Sequence, residues 1–472
     1  MEILNNKFNL KFYDRTFVFS RVAKGIEPFL LSEICNRFND KNILVVLEDN
    51  EQIKIYKEII KINLNNYNIV TFPCWDCFPY DNNSPDQTIV SNRFKAIRNY
   101  YQNTGSNNLI LTSLDSLLLK IPPVKKSTFE NIKLKTGEKY KHSFVVNTLN
   151  DLGYNRVELV LSPYEFASRG GIIDFWPVGE EKPLRLDFFD ELLEEIKEFN
   201  PLNQISLNKK KYINLFESIE CPLSTKSKQT FISNYRKKFG PVINTELFTH
   251  TIQNTNKIDS IEHWLPLFYE SKLISQFELF NPDIIICDEN IKQNATEKLE
   301  LINNTYREKL EVYRNNKDEY NAPLEPDELY MDAKSLNLKI DHKDKIFFTY
   351  LDQVENENTF NVKSKDNIEF DKNYNFEKIK EKLNKTIHEN FNKKKIIFCY
   401  ANPTEKKHLK SLLSLNQSIE YRFDTPTIMS CLKNSEYIDI IEMKIKKGFE
   451  NEFLKLITTQ EISKVKNIIY SR

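Results

Sequence analysis

The best candidate for nucleotide chemistry is the loop Arg21–Gly25, which lies between a predicted strand, Phe17–Ser20, and a predicted helix, Glu27–Phe38. A phosphate-binding loop in this position needs several glycines, a lysine for the β- and γ-phosphates and a Ser or Thr for magnesium. This loop has one glycine, and the chain contains no Gly-Lys-Ser or Gly-Lys-Thr sequence. We therefore predict a degenerate P-loop that is kept for its fold; anion binding by Lys24 and Arg21 is the open alternative.

A second nucleotide-like motif is the apolar run Ile284–Cys287, which is followed by the carboxylates of Asp288 and Glu289. It has the form of a Walker B strand, whose acidic residues hold magnesium on a bound nucleotide. Such carboxylates need a triphosphate held by a working phosphate loop, and an apolar strand can end in two acidic residues before any turn. We expect a structural strand here, and a catalytic role for Asp288 is the open alternative.

Metal and thiol chemistry have little support in the sequence. The one CxxC pair, Cys74 and Cys77, lacks the second pair of ligands that a structural zinc site needs. Pro79 follows at once, so the pair also lacks the helix start that is typical of a dithiol redox motif. The six histidines show no ligand spacing. We expect this chain to bind neither a metal nor another cofactor.

The residues best suited to binding another protein lie on a predicted strand, Leu184–Phe189. Because side chains alternate along a strand, Arg185, Asp187 and Phe189 share one face, and the leucines between them share the core face. An aromatic ring beside a guanidinium and a carboxylate is a composition found at protein-binding hot spots. The alternation alone leaves open that Phe189 packs under the next turn and that the charged pair is merely solvated.

Composition limits the classes of protein to be considered. The chain has 472 residues, of which 67 are basic and 67 acidic, so nucleic-acid binding would require a local basic patch. Only 9 residues are glycine, which limits the number of possible phosphate loops. The apolar runs are too short for a membrane helix, the N-terminus lacks a signal sequence, and seven cysteines form no disulfide framework. These features predict a cytoplasmic protein that does not enter a membrane.

The residues named so far must be positioned by a mixed α/β fold. The first ~120 residues alternate strand and helix periods in a βαβ series, which predicts a mainly parallel sheet with ligand crevices at the carboxyl ends of its strands. A smaller α+β unit follows, with strands at 171–177, 184–189 and 194–199. The last segment has a β-α-β pattern, with strands at Lys395–Tyr400 and Ile438–Met443 and a helix from Asn451 to Ile457.

We expect four domains. Residues 1–125 would form an α/β domain of the degenerate P-loop or RecA-like type, and residues 126–215 an inserted, smaller α+β domain. Residues 216–334 would complete the first α/β domain, and residues 335–472 would form a small C-terminal α/β domain. Changes of pattern near two groups of prolines, at 122–123 and 323–326, support the first and last of these boundaries.

Several stretches resemble the UvrB-homology region of the bacterial transcription-repair coupling factor family, Mfd. They are Arg169–Pro177, Pro183–Asp190, Glu194–Pro201 with Gln204–Ser206, Phe72–Asp81 with Ser84–Asp86, Ser91 and Arg93, His263–Phe268, and Lys447–Phe449. UvrB itself resembles this sequence less, because it would carry an intact P-loop and a long, tyrosine-rich hairpin that clamps DNA. The short segment between Tyr80 and Ser91 has no room for that hairpin.

The resemblance implies domains 1a, 2, 1b and 3 of that family, in which domain 2 binds UvrA by mimicking the equivalent surface of UvrB. The family's interface residues match Arg169, Arg185 and Phe189, and Asp187 lies on the same predicted face. The chain would thus recruit UvrA to RNA polymerase stalled at DNA lesions. Contact with polymerase and DNA, and the use of ATP and magnesium, would belong to motor domains that this chain lacks. We expect a monomer without enzyme activity.

A UvrB-like DNA-binding repair module is the alternative function. It would contact phosphates through basic patches such as Lys209–Lys211 and Lys393–Lys395. Lysine runs of this kind are more often solvated faces, and no aromatic residues for base stacking are interleaved with these two. We therefore expect weak DNA binding or none from this chain.

Overall fold

The structure, a computed structural model, describes residues 16–463 apart from short gaps. The gaps are residues 39, 65, 106, 125–131, 178–179, 216–218, 223, 241–242, 255–257, 318–319, 368–369, 371–373, 392, 414–418, 425–430 and 432–436. Two expected domain boundaries, at 125/126 and 215/216, involve residues outside the described part.

Strands and helices alternate along most of the chain. The strands are β1 Thr16–Ser20, β2 Asn42–Leu47, β3 Asn68–Phe72, β4 Asn108–Ser113, β5 Ile132–Lys135, β6 Asn155–Arg156, β7 Glu165–Arg169, β8 Ile172–Phe175, β9 Leu184–Phe189, β10 Leu192–Phe199, β11 Ser206–Lys210, β12 Tyr212–Leu215, β13 Ile284–Asp288, β14 Asp344–Phe348, β15 Thr359–Asn361, β16 Lys365–Asp366, β17 Lys395–Tyr400, β18 Tyr421–Phe423, β19 Ile438–Glu442, β20 Phe449–Glu450 and β21 Leu454–Thr458.

The helices are mostly amphipathic and begin at side-chain caps. Asp49 and Asp86, for example, accept hydrogen bonds from backbone N–H groups in the first turns of α2 and α3. The helices are α1 Glu27–Cys35, α2 Asn50–Asn63, α3 Gln87–Gln102, α4 Leu114–Leu118, α5 His142–Asp151, α6 Thr225–Phe239, α7 Ile243–Asn254, α8 Gln276–Phe280, α9 Ile291–Asn315, α10 Pro326–Leu329, α11 Ala333–Asp341, α12 Phe376–Asn390, α13 Pro403–Leu413 and α14 Thr459–Ser463, with a 3₁₀ helix at Ile261–Phe268. None of the described helices is long and apolar enough to cross a membrane.

The largest sheet is parallel and has seven strands in the order β15-β1-β14-β13-β2-β4-β3. The predicted parallel sheet and the predicted strand at Ile284–Cys287 are therefore confirmed. Alternate residues of β2 enter different cores, because Leu44 packs on the side of the second sheet and Ile43 and Val45 pack on the side of the third. Both faces of this sheet are thus buried, as is usual for parallel sheets.

The second sheet has six strands in the order β11-β10-β9-β8-β7-β6, and β12 pairs with β5 beside it. Its strands are antiparallel except for the β6–β7 pair. Leu184 and Leu186 of β9 are fully buried in the same core as Val145 and Leu149 of α5. One face therefore packs on the core, as the alternation predicts, while the other face is partly covered by a small cluster of Val160, Ala167 and Phe199 and is otherwise available for contacts.

The third sheet, in the order β16-β20-β21-β17-β19-β18, corrects one expectation. Residues Leu454–Thr458 form the strand β21, so the helix predicted from 451 to 457 is wrong. Every residue of β21 is buried, and the strand pairs in parallel with β17 and antiparallel with β20. Lys455, whose polar side chain favours a helical interpretation, is buried with its Nζ 2.5 Å from Glu450 Oε2.

The first sheet extends beyond residue 334, where the last domain was expected to begin. β14 and β15 both pair with β1, so residues up to Asn361 contribute to the first sheet. The strands of the third sheet begin with β16 at Lys365. The division into four domains remains a proposal, and the sheets favour placing its last boundary near 362.

A buried ion pair ties α3 to the segment after the second sheet. Arg93 and Glu220 are 0% and 2% exposed, with Arg93 Nε 2.7 Å from Glu220 Oε1. The indole Nε1 of Trp75 donates to the other oxygen of Glu220 at 2.6 Å, and Arg93 Nη1 donates to the carbonyl of Pro73 at 2.8 Å. A buried ion pair is tolerated when additional hydrogen bonds satisfy its partners; here both oxygens of Glu220 accept, and Arg93 donates through Nε and Nη1, whereas its Nη2 has no hydrogen-bond partner among the described residues. Trp75 and Arg93 from the Phe72–Arg93 region are therefore structural residues.

Candidate protein-binding face

The second sheet brings all four predicted binding residues onto its outer face. Arg169 of β7 lies opposite Ile172 of β8, and Ile172 lies opposite Asp187 of β9. Residues directly opposite one another in a sheet point to the same side, and Arg185 and Phe189 precede and follow Asp187 by two positions. Since adjacent strands lie about 4.8 Å apart, Arg169 and Asp187 are separated by roughly 10 Å across this face.

Phe189 is strongly exposed, with 71% of its surface open to solvent. It ends β9, and a two-residue turn, Asp190 and Glu191, leads to Leu192 opposite it. Asp190 has φ +55°, a left-handed conformation that suits the tight hairpin turns in which Asp is favoured. Because the ring stands at the end of the hairpin, the alternative that Phe189 packs under the next turn is wrong. Ile172, 39% exposed, extends the apolar surface on the same face.

Arg185 is held from two sides within its own chain. Its Nε and Nη2 donate to the two carboxylate oxygens of Asp174 at 2.7 and 2.8 Å, and its guanidinium lies 4.9 Å from the centre of the Phe199 ring. The hydrogen bond to Asp174 raises the pKa of Arg185. The side chain is 20% exposed, so part of the fork still reaches the surface in a fixed orientation. The sequence analysis missed Asp174, although its position opposite Arg185 follows from pairing the two strands.

Asp187 and the neighbouring lysines form a chain of ion pairs across the sheet. Lys197 Nζ of β10 donates to Asp187 Oδ2 at 2.9 Å and also pairs with Glu195, and these hydrogen bonds raise the pKa of Lys197. Lys209 pairs with Glu195 as well. In the same sheet Lys210 Nζ lies 2.5 Å from Glu180 Oε2. Two of the three lysines in the basic run at 209–211, which the DNA-binding alternative invokes, therefore have acidic partners within the chain.

Arg169 lies at the rim of the face, at the end of β7. Its Nη2 donates to the carbonyl oxygen of Glu158, and the side chain is exposed. Gly170, at φ +57°, and Gly171 form the turn to β8. A side chain at Gly171 would collide with the carbonyl oxygen of Phe188, so the close approach of β8 and β9 requires glycine there.

The loop Arg21–Gly25 follows β1 at the carboxyl end of the parallel sheet, but a carboxylate occupies its centre. The backbone N–H of Gly25 donates to Glu27 Oε2 at 2.5 Å, and the Tyr350 hydroxyl donates to Glu27 Oε1 at 2.9 Å. Burial raises the pKa of Glu27. Lys24 lies over the Tyr350 ring at 5.5 Å, and a cavity of about 860 Å³ adjoins the loop. A carboxylate that takes the loop's N–H group leaves little room for a phosphate oxygen.

The remaining motif residues have local structural partners. Asp288 Oδ1 accepts from the backbone N–H of Asn290 at 2.8 Å, and Glu289 accepts from Gln353 Nε2. Burial raises the pKa of both Cys74 and Cys77 to about 12, so neither thiol is an activated nucleophile. Among the described residues, no group of three His, Cys, Asp or Glu side chains could hold a metal ion.

Comparison with known proteins places the outer face in a recognised domain. The family described as the UvrB interaction domain matches residues 132–219, which contain β5–β12 and all four predicted binding residues. Over longer stretches the chain is similar to transcription-repair-coupling factors. The resemblance inferred from the sequence is thereby confirmed.

Three of these coupling factors show the extent of the similarity. The factor from Rickettsia prowazekii is 28% identical over 444 residues, which cover 93% of this chain and 38% of that protein. The factor from Haemophilus influenzae is 26% identical over 333 residues, 70% of this chain and 28% of that protein. The Escherichia coli factor is 24% identical over 271 residues, 57% and 23% of the two chains. This chain therefore spans about two fifths or less of the length of these relatives.

Proposed function

We propose that this chain acts as the N-terminal part of a transcription-repair coupling factor and recruits UvrA through the outer face of its second sheet. In this role UvrA, and with it excision repair, would be brought to RNA polymerase stalled at a DNA lesion in the cytoplasm. The observation that carries the proposal is the exposed ring of Phe189 on the domain that matches the UvrB interaction family. The four-domain architecture of the family, with a degenerate P-loop in the first domain, belongs to the same proposal.

The composition of the face suits a specific protein partner. Phe189 and Ile172 supply apolar area that a partner can desolvate, and Arg169 and Arg185 supply planar donors that recognise carboxylates. The chain of ion pairs from Asp187 to Lys197 forms a polar border beside them. Interfaces typically combine an apolar centre with a polar rim of this kind. We expect the partner surface on UvrA to offer an apolar pocket with acidic groups at its edge.

The test is binding of purified UvrA to the full chain and to single variants. Phe189→Ala should weaken binding by about 2 kcal/mol or more, roughly 30-fold in Kd, as expected for a hot spot, and Arg169→Ala, at the rim of the face, should weaken it by a smaller amount. Phe453→Ala is the matched control, because Phe453 is also a half-exposed phenylalanine but lies outside the UvrB interaction domain. Unchanged binding by both face variants, measured by calorimetry with folding checked by circular dichroism, would show that UvrA binds elsewhere or not at all.

The DNA-binding alternative receives no support from its two lysine runs. Lys394 Nζ donates to Glu450 at 2.8 Å, and Lys395 Nζ lies 2.6 Å from Asp439 in the core. Lys209 pairs with Glu195, and Lys210 pairs with Glu180. Four of the six lysines in the two runs therefore have acidic partners within the chain, and we propose UvrA recruitment by a monomer rather than DNA binding as the function of this chain.

A further inference from the structure

A cavity of about 580 Å³ lies between the edge of the first sheet and the start of the third. Arg21, which follows β1, lines one wall, and Lys363, between β15 and β16, lines another. Lys365 and Lys394 complete a set of four cationic side chains, and Glu450 and Glu452 are the two carboxylates in the lining. This cavity belongs to neither the UvrA-binding face nor the larger cavity beside Glu27.

One carboxylate at the base of the cavity is shared by three ammonium groups. Glu450 lies 2.8 Å from Lys394 Nζ, 2.5 Å from Lys455 Nζ and 3.6 Å from Lys365 Nζ. Burial alone would raise the pKa of Glu450, but the hydrogen bonds from Lys394 and Lys455 lower it to about 2. The carboxylate is therefore ionised at neutral pH and balances only one of the three positive charges around it.

The positive excess persists when the neighbouring ion pairs are included. Arg21 pairs with Asp352 outside the lining, and Lys455 lies below it. With these neighbours counted, five cationic side chains face three carboxylates. Lys363 is exposed, and the part of the chain that the structure describes offers its Nζ no hydrogen-bond or ion-pair partner. The uncompensated charge is therefore at the mouth of the cavity, where a solvent-borne anion can reach it.

Two of the cations are carried by residues with an unfavourable backbone conformation. Arg21 and Lys363 have φ values of +52° and +51°, a left-handed region that side-chain-bearing residues seldom adopt. Ser364 joins their two loops, because its Oγ accepts from the N–H of Ala23 at 2.8 Å and donates to the carbonyl of Arg21 at 2.6 Å. Strained residues held by their surroundings are concentrated at ligand clamps and switch regions.

We propose that this cavity binds a phosphate group. Lysine ammonium groups and an arginine fork are the side chains that bind phosphate oxygens in proteins. The lining contains no aromatic residue, so the site would recognise phosphate and not the bases attached to it. The phosphate could belong to a nucleic-acid backbone or be free in solution, and the two sources can be told apart by experiment.

The experiment compares the full chain with the double variant Lys363→Glu/Lys365→Glu. The control is Lys317→Glu/Lys334→Glu, which reverses two exposed lysines outside the cavity and changes the net charge equally. A fluorescein-labelled single-stranded oligonucleotide is titrated by anisotropy over a range of salt concentrations, and the effect of inorganic phosphate on the unfolding temperature is measured separately. Retained UvrA binding by the double variant would confirm that it is folded, independently of the cavity.

If the phosphate belongs to a nucleic acid, the cavity variant should bind the oligonucleotide at least 10-fold more weakly than the control. Its plot of log affinity against log salt should lose about 1.4 in slope, since each phosphate contact with a single strand contributes about 0.7. If the phosphate is free, inorganic phosphate should raise the unfolding temperature of the wild type and control but not of the cavity variant. The proposal is wrong if neither probe binds, or if both double variants respond alike.

Discussion

At the scale of single residues, Arg185 shows how the binding face is prepared before a partner is present. Asp174 occupies two of its donors and Phe199 supports its plane, so the guanidinium loses little freedom when another protein binds. Sequence alternation predicts the face on which Arg185 lies, and it can also place Asp174 there once the strands are paired. Alternation alone cannot show that Arg185 pairs with Asp174 of the same chain. That pairing depends on the register of β8 against β9.

Replacing Asp174 by Asn should therefore destabilise the chain and loosen the face. The substitution keeps the shape of the side chain but removes the charge from a largely buried bidentate pair, which should cost about 1–3 kcal/mol of unfolding free energy in urea titrations. Asp187→Asn is the matched control, because its single contact with Lys197 is more exposed and should contribute less than about 1 kcal/mol. Equal losses from both variants would contradict the distinction drawn between the two pairs.

A second residue-scale prediction concerns Glu262, which precedes the buried His263. Burial raises the pKa of Glu262 from its ordinary 4.5 to about 7, while a hydrogen bond from Ser84 Oγ opposes the shift. The folded chain therefore retains this proton where the unfolded chain has lost it. Stability from this group is fully present below pH 4.5 and is lost as the pH rises towards 7. The loss at neutral pH would be about 2–4 kcal/mol.

Glu262→Gln should remove that loss of stability. The measurement is the unfolding free energy of the wild type and of the variant between about pH 4 and about pH 8. His263 acts in the opposite direction, because burial lowers its pKa from 6.5 to about 4 and its contribution falls as the pH decreases through that window. Subtracting the two curves cancels the histidine. A difference curve that stays flat between pH 4.5 and 7 would show that the carboxyl is not protonated in the folded chain.

At the scale of elements, Gly25 links the first sheet to the third. It has φ +100°, and a side chain there would collide with the carbonyl oxygen of Lys447 on the segment between β19 and β20. Gly105 has a similar φ of +92° but faces open space. Gly25→Ala should destabilise the chain more than Gly105→Ala, because only the former adds a backbone collision to the cost of about 1 kcal/mol for a left-handed alanine. Equal unfolding midpoints for the two variants in urea would refute the contact.

How well the sequence predicts a strand or a helix depends on how far the conformation of that segment is determined by contacts with distant residues. Runs such as Ile43–Leu47 and Lys395–Tyr400 are apolar on both faces and bounded by polar residues, so their strands follow from the sequence alone. The segment Leu454–Thr458 has the same buried environment, but it contains a lysine, a residue that is seldom buried. Only the pairing of Lys455 with Glu450 explains why that lysine can be buried in a strand. Sequence periodicity contains no information about such a distant partner.

At the scale of the whole molecule, the first sheet is assembled from distant parts of the chain. β1 pairs with β14 and β15, which lie more than 300 residues later, and β13 enters the centre of the sheet beside β2. The segment 132–219, which matches the UvrB interaction domain family, is thus an insertion between strands of one sheet. A face carried by such an insertion can contact a partner while the parent sheet remains closed on both sides. This arrangement is what the proposed recruiting role requires.

The same parent sheet leads to the prediction that the chain does not turn over ATP. A γ-phosphate at the loop Arg21–Gly25 would meet the Glu27 carboxylate, which already accepts the Gly25 N–H, and Pro28 in the first turn of α1 has no N–H to donate. ATP with magnesium should therefore not be hydrolysed, and it should not raise the unfolding temperature of the Lys363→Glu/Lys365→Glu variant, which lacks the phosphate cavity proposed above. In that variant, the further change Glu27→Gln removes the negative charge and should permit weak stabilisation by ATP without turnover, because no motif lysine or Ser/Thr is supplied. Wild-type turnover that Lys24→Ala or Asp288→Ala abolishes would instead show a working nucleotide site.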